Sequence, residues 1–360
     1  MATAWNVAGG TETSLVSRSG LLKGGTDTRA IFLKQFSGEV LTSFEEKNIA
    51  MPLHRVRTIS NGKSAQFPSI GTIGADYHTA GQTILGDSVN HGEITVTVDD
   101  LLVSSAFVPK IDEAMQHYEV RSTYSAEMGN ALANAADKNI FATIYKASKT
   151  VAPANDDGDQ AGYWTADDFD GLSGDTDGNP ATGTAGVSGQ IDVASVTAST
   201  GGQGLVDAVF KGLEQFDSHD VTGEKYLVVT PATYYSLFGA NTNYLVNTAM
   251  NQDVGGNGSV ALGNAPTIGG VKVLMSNHLP TADGMEITNA VNENGSATDY
   301  SQFNANLKGM LFTKDAAATV KLLDLGVESE YQIERQGTLM VAKYAMGHNV
   351  LRGKSAIALV

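Results

Sequence analysis

Residues 111–148 read IDEAMQHYEVRSTYSAEMGNALANAADKNIFATIYKAS, and this stretch decides the fold. Its apolar residues recur at close to i, i+3, i+4 spacing, which predicts a single amphipathic helix. The predicted stripe consists of Ile111, Met115, Tyr118, Met128, Leu132, Ala135, Phe141 and Ile144. The stretch contains no proline and only one glycine, Gly129. With a rise of 1.5 Å per residue, the helix would be roughly 55 Å long, far beyond the usual few turns.

A glycine-spaced arm precedes this helix. Residues 57–92 hold few apolar side chains, and their glycines are Gly62, Gly71, Gly74, Gly81, Gly86 and Gly92. Residues 93–99, EITVTVD, then alternate between apolar and polar side chains, which predicts a half-buried strand that forms the return leg of the arm. An arm of this length with so little core of its own needs a neighbour to lie on. The pattern therefore favours a subunit of an assembly over a self-contained enzyme.

The composition limits the class of protein. A length of 360 residues predicts about two domains. The chain has no cysteine, which excludes disulfides and thiolate metal sites. We expect no signal peptide, and no apolar run approaches the ~18 residues of a membrane span, so we predict a soluble protein without a membrane partner. A net charge of −16 repels a phosphate backbone, so we do not expect sequence-specific binding to nucleic acid.

Polar stretches separate the regular parts of the chain. Residues 1–28 predict either a disordered tail or an arm that orders on a partner, and residues 29–46 predict a short helix. Residues 152–204 are rich in Asp and Gly, which predicts a surface insertion or a mobile loop. Residues 281–306 are polar and rich in Asn, which predicts a second loop.

Helices and strands are interleaved between these stretches. Residues 205–216 predict an amphipathic helix, and Thr230 with Pro231 predicts the start of another, which we expect to end at Gly239. Strands are predicted at EKYLVVT (224–230), GGVKVLM (269–275), GMLFT (309–313), AATVKLL (317–323), TLMVAKYAM (338–346) and SAIALV (355–360). This interleaving, without a repeat, predicts an α+β fold.

One segment is basic in this acidic chain. Residues 47–75 contain no acidic residue, and the basic strip within them consists of Lys47, Arg55, Arg57 and Lys63. It is either a solvated loop or, in our preferred interpretation, a strip that docks on an acidic neighbouring subunit. Our candidates for contacts between subunits are Arg55, Arg57, Lys63, Gln66 and Phe67.

No motif indicates a catalytic, cofactor or metal site. Two Gly-Lys-Ser triplets, at 62–64 and 353–355, lack the first glycine of a phosphate loop. The seven histidines are scattered and form no zinc-binding pair. The sequence DTDGN at 175–179 begins like a calcium loop but lacks the remaining ligands. We therefore predict neither an enzyme nor a cofactor.

Several long blocks point to one protein family. They are KSAQFPSIG (63–71), DEAMQHYEVRSTYSAEMGNALANAAD (112–137), GGVKVLMSNHLP (269–280) and LMVAKYAMGHNVLRG (339–353), with IFLKQFSGEVLTSF (31–44) and RTISNG (57–62) in support. These blocks closely resemble the major capsid proteins of short-tailed, autographivirus-type bacteriophages. They are spread over most of the chain and are far more specific than a short motif.

The resemblance implies an HK97-like capsid fold. Carried over, the segments would be an N-terminal arm with a short helix (1–56), an extended hairpin called the E-loop (57–98), a peripheral domain (99–150) with a spine helix (111–148), an insertion (151–204), an axial domain (205–310), return strands of the peripheral domain (311–350) and a closing strand near the axial domain (351–360). The insertion and the loop at 281–306 match nothing in the family pattern.

The resemblance also implies a function and partners. The protein would be a structural, non-catalytic subunit that self-assembles into pentamers and hexamers of an icosahedral shell around the double-stranded DNA genome of a tailed phage. Its partners would be a scaffolding protein, a portal at one vertex and a possible decoration protein, without sequence-specific binding to the packaged DNA. It would assemble in the host bacterial cytoplasm and reside in the virion. Some capsids of this fold form a Lys–Asn cross-link, but we find no matched catalyst or Asn partner for Lys63 and predict none.

Two alternatives remain open from the sequence. A cellular nanocompartment shell of the same fold would package an enzyme rather than a genome. A calcium-dependent surface protein is suggested only by the Asp-rich stretch, and it would be expected to carry a signal peptide and repeats.

Overall fold

The structure, a computed structural model, describes residues 48–70, 75, 77–83, 86, 91–115, 121–150, 163–164, 189–193, 202–237, 267–281, 300 and 302–360. The helix predicted at 29–46, Lys47 of the basic strip and the DTDGN sequence lie outside these residues. The helices and strands, in chain order, are β1 Arg55–Thr58, β2 Ser64–Ile70, β3 His91–Thr97, β4 Leu102–Pro109, α1 Lys110–Met115, α2 Arg121–Lys149, β5 Gln190–Ile191, α3 Gly202–Ser218, β6 Lys225–Val229, α4 Pro231–Ser236, β7 Lys272–Met275, β8 Gly309–Thr313, β9 Ala317–Gln332, β10 Gly337–Val350 and β11 Ala356–Leu359.

The described strands form three sheets, with the orders β1-β9-β10-β4, β5-β11-β8-β6-β7 and β2-β3. The strands predicted from the sequence are confirmed, and β9 and β10 are longer than expected. None of the helices in the described part of the chain combines the length and the apolar character that a membrane span requires.

The chain divides into two compact units. Of the described residues, the first unit contains 48, 101–115, 121–134 and 323–345, and the second contains those within 49–100, 135–322 and 346–360. Helix α2 and strands β9 and β10 each run from one unit into the other. The sequence placed no boundary inside any of these three elements.

The first unit contains an antiparallel strand pair. β4 pairs with β10, with Pro109 opposite Gly337 and Leu102 opposite Tyr344. Helix α1 follows β4 directly, but the side chains of Ile111 and Met115 are 61% and 42% exposed. Their predicted place in a buried stripe is therefore wrong. A periodic pattern alone does not show which turns of a helix pack against another part of the protein.

The central part of the predicted helix is confirmed as α2. Its stripe is buried at Met128, Leu132, Ala135, Phe141 and Ile144. Residues 116–120, including Tyr118, lie outside the described residues. The described parts of the predicted helix are α1 and α2. Between Met128 and Ile144 the stripe supplies buried apolar side chains along α2, and such burial is what stabilises a helix of this length.

The five-stranded sheet of the second unit separates two layers of core. Successive residues of β6 face opposite layers, because side chains alternate along a strand. Leu227 and Val229 pack with Val209 of α3. Val228 packs with Phe141 and Ile144 of α2. The sheet thus lies between α3 and the C-terminal half of α2, as the amphipathic patterns of both helices require.

The Asp-rich stretch is more than a surface insertion. Trp164 is fully buried, and its Nε1 donates a hydrogen bond to the Ala356 carbonyl over 2.8 Å. Ile191 of β5 is also buried, and β5 pairs with β11 in the five-stranded sheet. The prediction of a surface insertion is wrong at Trp164 and Ile191. The high content of Asp and Gly in this stretch masked these few apolar residues in the sequence pattern.

Two predicted boundaries also shift. The boundary between 310 and 311 falls inside β8, which pairs with β6 and β11. Helix α4 begins as predicted, with Thr230 as its N-cap and Pro231 in its first turn. It ends at Ser236, earlier than predicted, and Gly239 lies outside the described residues.

Candidate assembly site: the β2–β3 hairpin and its root

Among the described strands, β2 and β3 form a hairpin that pairs with no third strand. Its strands are antiparallel and seven residues long, with Ser64 opposite Thr97 and Ile70 opposite His91. An isolated two-stranded hairpin is marginally stable at best in water, because it lacks a third strand or a helix to cover a face. This hairpin therefore gains stability from any surface that covers it.

Most described side chains of the hairpin are exposed. Ala65 and Val96, which lie opposite each other near the root, are buried. Further out, the exposed residues of the two strands are Gln66, Pro68, Ser69, His91, Gly92, Glu93 and Thr95. The described residues between the strands are all exposed as well, and the Tyr77 side chain is completely so.

The root of the hairpin is attached to the C-terminal half of β10. The Asp99 amide donates to the Met346 carbonyl over 3.2 Å, and Asn349 Nδ2 donates to the Thr95 carbonyl over 3.1 Å. The Val98 amide donates to the Lys63 carbonyl over 2.8 Å and so closes the base of the hairpin. Two backbone bonds and one bond from the Asn349 side chain thus hold the base, while most described side chains farther out are exposed.

Three of the five predicted contact residues lie together on the hairpin side. Arg57 Nη1 donates to the Gln66 carbonyl over 2.9 Å, and its guanidinium lies 5.8 Å from the centre of the Phe67 ring. Gln66 Nε2 in turn donates to Glu93 Oε1 over 3.0 Å. Lys63 is exposed at the base of the same hairpin.

Arg55 has a different partner. Its Nε donates to Asp315 Oδ1 over 2.6 Å, and both side chains are partly exposed. An exposed pair of this kind contributes on the order of 0–1 kcal/mol. Two charges of the basic strip, Arg55 and Arg57, therefore already have partners within their own chain, which the sequence alone did not indicate.

Below the hairpin lies a buried polar cluster that sequence reasoning missed. His54 and His348 both lie within hydrogen-bonding distance of Thr319 Oγ1. Burial lowers the pKa of His348 to about 3, with a further contribution from nearby His54. Burial also lowers the pKa of His54, against the opposing effect of its hydrogen bond to the Ala50 carbonyl. Both imidazoles are thus neutral at physiological pH.

A buried carboxylate of α2 holds the beginning of the described chain. Asp137 is fully buried, and its two oxygens accept the amides of Ile49 and Ala50 over 3.0 and 3.1 Å. His278 Nδ1 lies 3.4 Å from Asp137 Oδ2. Within the described residues, no group of three His, Asp or Glu side chains is placed to hold a metal ion. The hydrogen bonds of the cluster connect the chain at 49–54 with α2, β9 and β10.

The fold defines the class of protein. The chain matches the capsid structure of the cyanophage P-SCSP1u with a TM-score of 0.70 and 34% identity, over 94% of this chain and 96% of that one. It matches the mature capsid of bacteriophage PhiM1 with a TM-score of 0.65 and 18% identity, over 98% of each chain. The fold is that of tailed-phage capsid proteins, so the predicted HK97-like α+β fold is confirmed.

The family follows from the sequence matches. The model of the family described as "Gp10A-like: Major capsid protein" matches residues 66–360. The major capsid protein of Enterobacteria phage T3 is 30% identical over 99% of this chain and 98% of that protein, and that of Escherichia phage T7 is 27% identical over the same shares. The chain belongs to the Gp10A-like major capsid protein family. Its role as a structural subunit of a phage capsid shell, predicted from the resemblance, is confirmed, and the match favours a phage over a nanocompartment.

Proposed function

We propose that the protein forms the pentamers and hexamers of an icosahedral shell and that the β2–β3 hairpin is the arm that joins neighbouring subunits. One observation carries the proposal. Among the described strands the hairpin is a two-stranded sheet, most of its described outer side chains are exposed, and its root is bonded to β10. A neighbouring subunit would supply the surface that a marginally stable hairpin needs.

The energetics favour an arm over a flat apolar patch. Burying apolar area contributes roughly 25 cal/mol per Å², but association also costs several kcal/mol in lost freedom of motion. A shell subunit meets several neighbours at once, so weak contacts add up across the closed shell. An arm with small and polar side chains supplies contact area without exposing a large apolar patch on the free subunit.

The contact residues that we propose are Arg55, Arg57, Lys63, Gln66 and Phe67. Gln66 and Phe67 would meet the neighbour directly, since they lie on the hairpin. Arg57 would support them from β1, because it binds the Gln66 carbonyl and lies over Phe67. Lys63 would add attraction to an acidic neighbour, since each subunit has a net charge of −16. Arg55 would act more weakly, because Asp315 already compensates its charge.

We extend the proposal to the other parts of the virion. The domain roles given above from the resemblance would apply, with α2 as the spine helix and β8 assigned to the axial domain. The partners would be a scaffolding protein, a portal and a possible decoration protein, with assembly in the host cytoplasm. The acidic net charge would let packaged DNA move without sticking to the inner surface.

Electron microscopy of shells tests this function. The protein is co-expressed with the scaffolding protein of its phage and examined by negative staining, and we expect closed, uniform icosahedral shells. The double variant Gln66→Ala/Phe67→Ala should form few shells while keeping the subunit's unfolding temperature within a few degrees.

The matched control is Lys211→Ala/Glu214→Ala, which removes an exposed ion pair of α3 that is remote from the hairpin in sequence. It should assemble normally. Small oligomers alone from the unaltered protein would contradict the shell proposal. Normal shells from the hairpin variant would contradict the role of these two residues.

A further inference from the structure

We propose that Thr319 is a positioning residue whose single hydroxyl group locks the chain around Ala50 and the root of the β2–β3 hairpin into one orientation. Thr319 lies on β9 and is fully buried. Its Oγ1 lies 2.5 Å from His54 Nε2 and 2.8 Å from His348 Nδ1. It thus joins two buried histidines from separate parts of the chain.

The proton positions in this cluster follow from one carbonyl group. His54 Nδ1 lies 2.8 Å from the Ala50 carbonyl oxygen, which can only accept, so Nδ1 carries the proton. In a neutral ring, Nε2 is then an acceptor, so the Thr319 hydroxyl must donate to it. The hydroxyl has no second proton. His348 Nδ1 must therefore be the donor to Thr319 Oγ1, and both rings are Nδ1–H tautomers.

The same logic extends the chain to the hairpin. The Tyr300 hydroxyl lies 2.6 Å from Asp99 Oδ2, and it donates its proton to this carboxylate. The Tyr300 oxygen accepts the His348 backbone amide over 3.2 Å. Asp99 directly follows the last paired residues of the hairpin, and its own amide is bonded to β10. The cluster therefore reaches the hairpin root through His348.

At its other end the chain reaches helix α2. The Ala50 amide donates to Asp137 Oδ1 over 3.1 Å, so Ala50 is held at both its amide and its carbonyl. Along this chain of hydrogen bonds, a single assignment of donors and acceptors gives every group a suitable partner. Loss of the Thr319 hydroxyl would leave a His54 acceptor and a His348 donor without their partner, both in a buried site where such losses are costly.

The inference rests on the proposed function only for its consequence in assembly, where the root would set the direction of the arm. The test is made on the full-length free subunit, so it does not depend on shell formation. Nitrogen-15 NMR of histidine-labelled protein should give the Nδ1–H tautomer for both His54 and His348. An Nε2–H tautomer at either residue would overturn the proposal, whether or not any variant folds.

Variants test the positioning role. Thr319→Val keeps the shape but removes the hydroxyl, and Thr319→Ser keeps the hydroxyl. Measured by hydrogen exchange, Thr319→Val should accelerate exchange about tenfold or more in peptides covering 48–54 and 346–350, while α3 stays protected. Thr319→Ser should restore protection at both places. Unchanged exchange in Thr319→Val, or equal acceleration in α3, would refute a local positioning role.

Discussion

Gly347 on β10 packs directly against the carbonyl group of Thr97 at the end of β3. A Cβ atom at position 347 would overlap the Thr97 carbonyl oxygen and would stand 2.7 Å from its carbon. Both neighbours are backbone atoms, so no side chain can move aside to make room. The hairpin root therefore approaches β10 at a distance that only glycine permits.

Gly347→Ala should accordingly destabilise the subunit. Overpacking against backbone costs typically about 1–3 kcal/mol, and we expect the upper end of this range in urea unfolding of the free subunit. Gly129→Ala is the matched control, since Gly129 is inside α2 and an added Cβ meets nothing within 4 Å. It should raise the free energy of unfolding by roughly 0.5–1 kcal/mol. An equal, small effect of both substitutions would show that the root is not tightly packed.

The stability of the subunit should fall in mild acid because of His348. Its pKa is 6.5 when unfolded and about 3 when folded. Between these values the unfolded chain binds one more proton at His348 than the folded chain. The contribution of neutral His348 to the free energy of unfolding is therefore complete above pH 6.5 and is lost as the pH falls towards 3. The expected slope is about 1.4 kcal/mol per pH unit for this one group. The lowered pKa of His54 acts in the same direction.

Urea unfolding at several pH values checks this. His348→Asn should reduce the slope of the free energy of unfolding against pH, between about pH 4 and 6, by roughly the contribution of one histidine. His78→Asn, which changes an exposed histidine between the hairpin strands, should leave the slope unchanged. Parallel profiles for His348→Asn and the unaltered protein would contradict the assignment of a neutral, buried His348.

The corrected stripe of the helical region can be tested with aspartate. Leu132 is only 3% exposed, so Leu132→Asp would bury a charge without a partner and should prevent folding, and we expect the same of Met128→Asp. Ile111→Asp places the same group at an exposed site and should change stability by less than about 1 kcal/mol. Circular dichroism and solubility report the difference. Soluble, fully helical Leu132→Asp would show that the stripe is wrong.

The role of Arg55 can be separated from its bond to Asp315. The exchange Arg55→Asp/Asp315→Arg retains an ion pair but reverses the local arrangement of charge. If Arg55 acts only within its chain, the exchanged protein should form shells as the unaltered protein does. We expect a reduced yield of shells with unchanged subunit stability, since the basic strip is proposed to face an acidic neighbour. A normal yield would remove Arg55 from the set of contact residues.

The sequence by itself determined the local elements of this protein. Periodicity predicted α2 and α3, alternation predicted β3 as a half-buried strand, and Thr230 with Pro231 predicted the start of α4. These features depend on backbone geometry over a few residues, which is why they can be read along the chain. The long matching blocks were also sufficient to indicate the capsid family.

Only the tertiary structure decided which distant residues meet. His54, Thr319 and His348 looked unrelated because 265 residues separate the first two. Trp164 was concealed in an Asp-rich stretch, and its buried place against Ala356 depends on how β11 joins the sheet. Nothing in the sequence indicated that Arg55 forms an ion pair with Asp315. Such contacts depend on strand order and register, which arise from the packing of the whole unit and leave no periodic signal in the sequence.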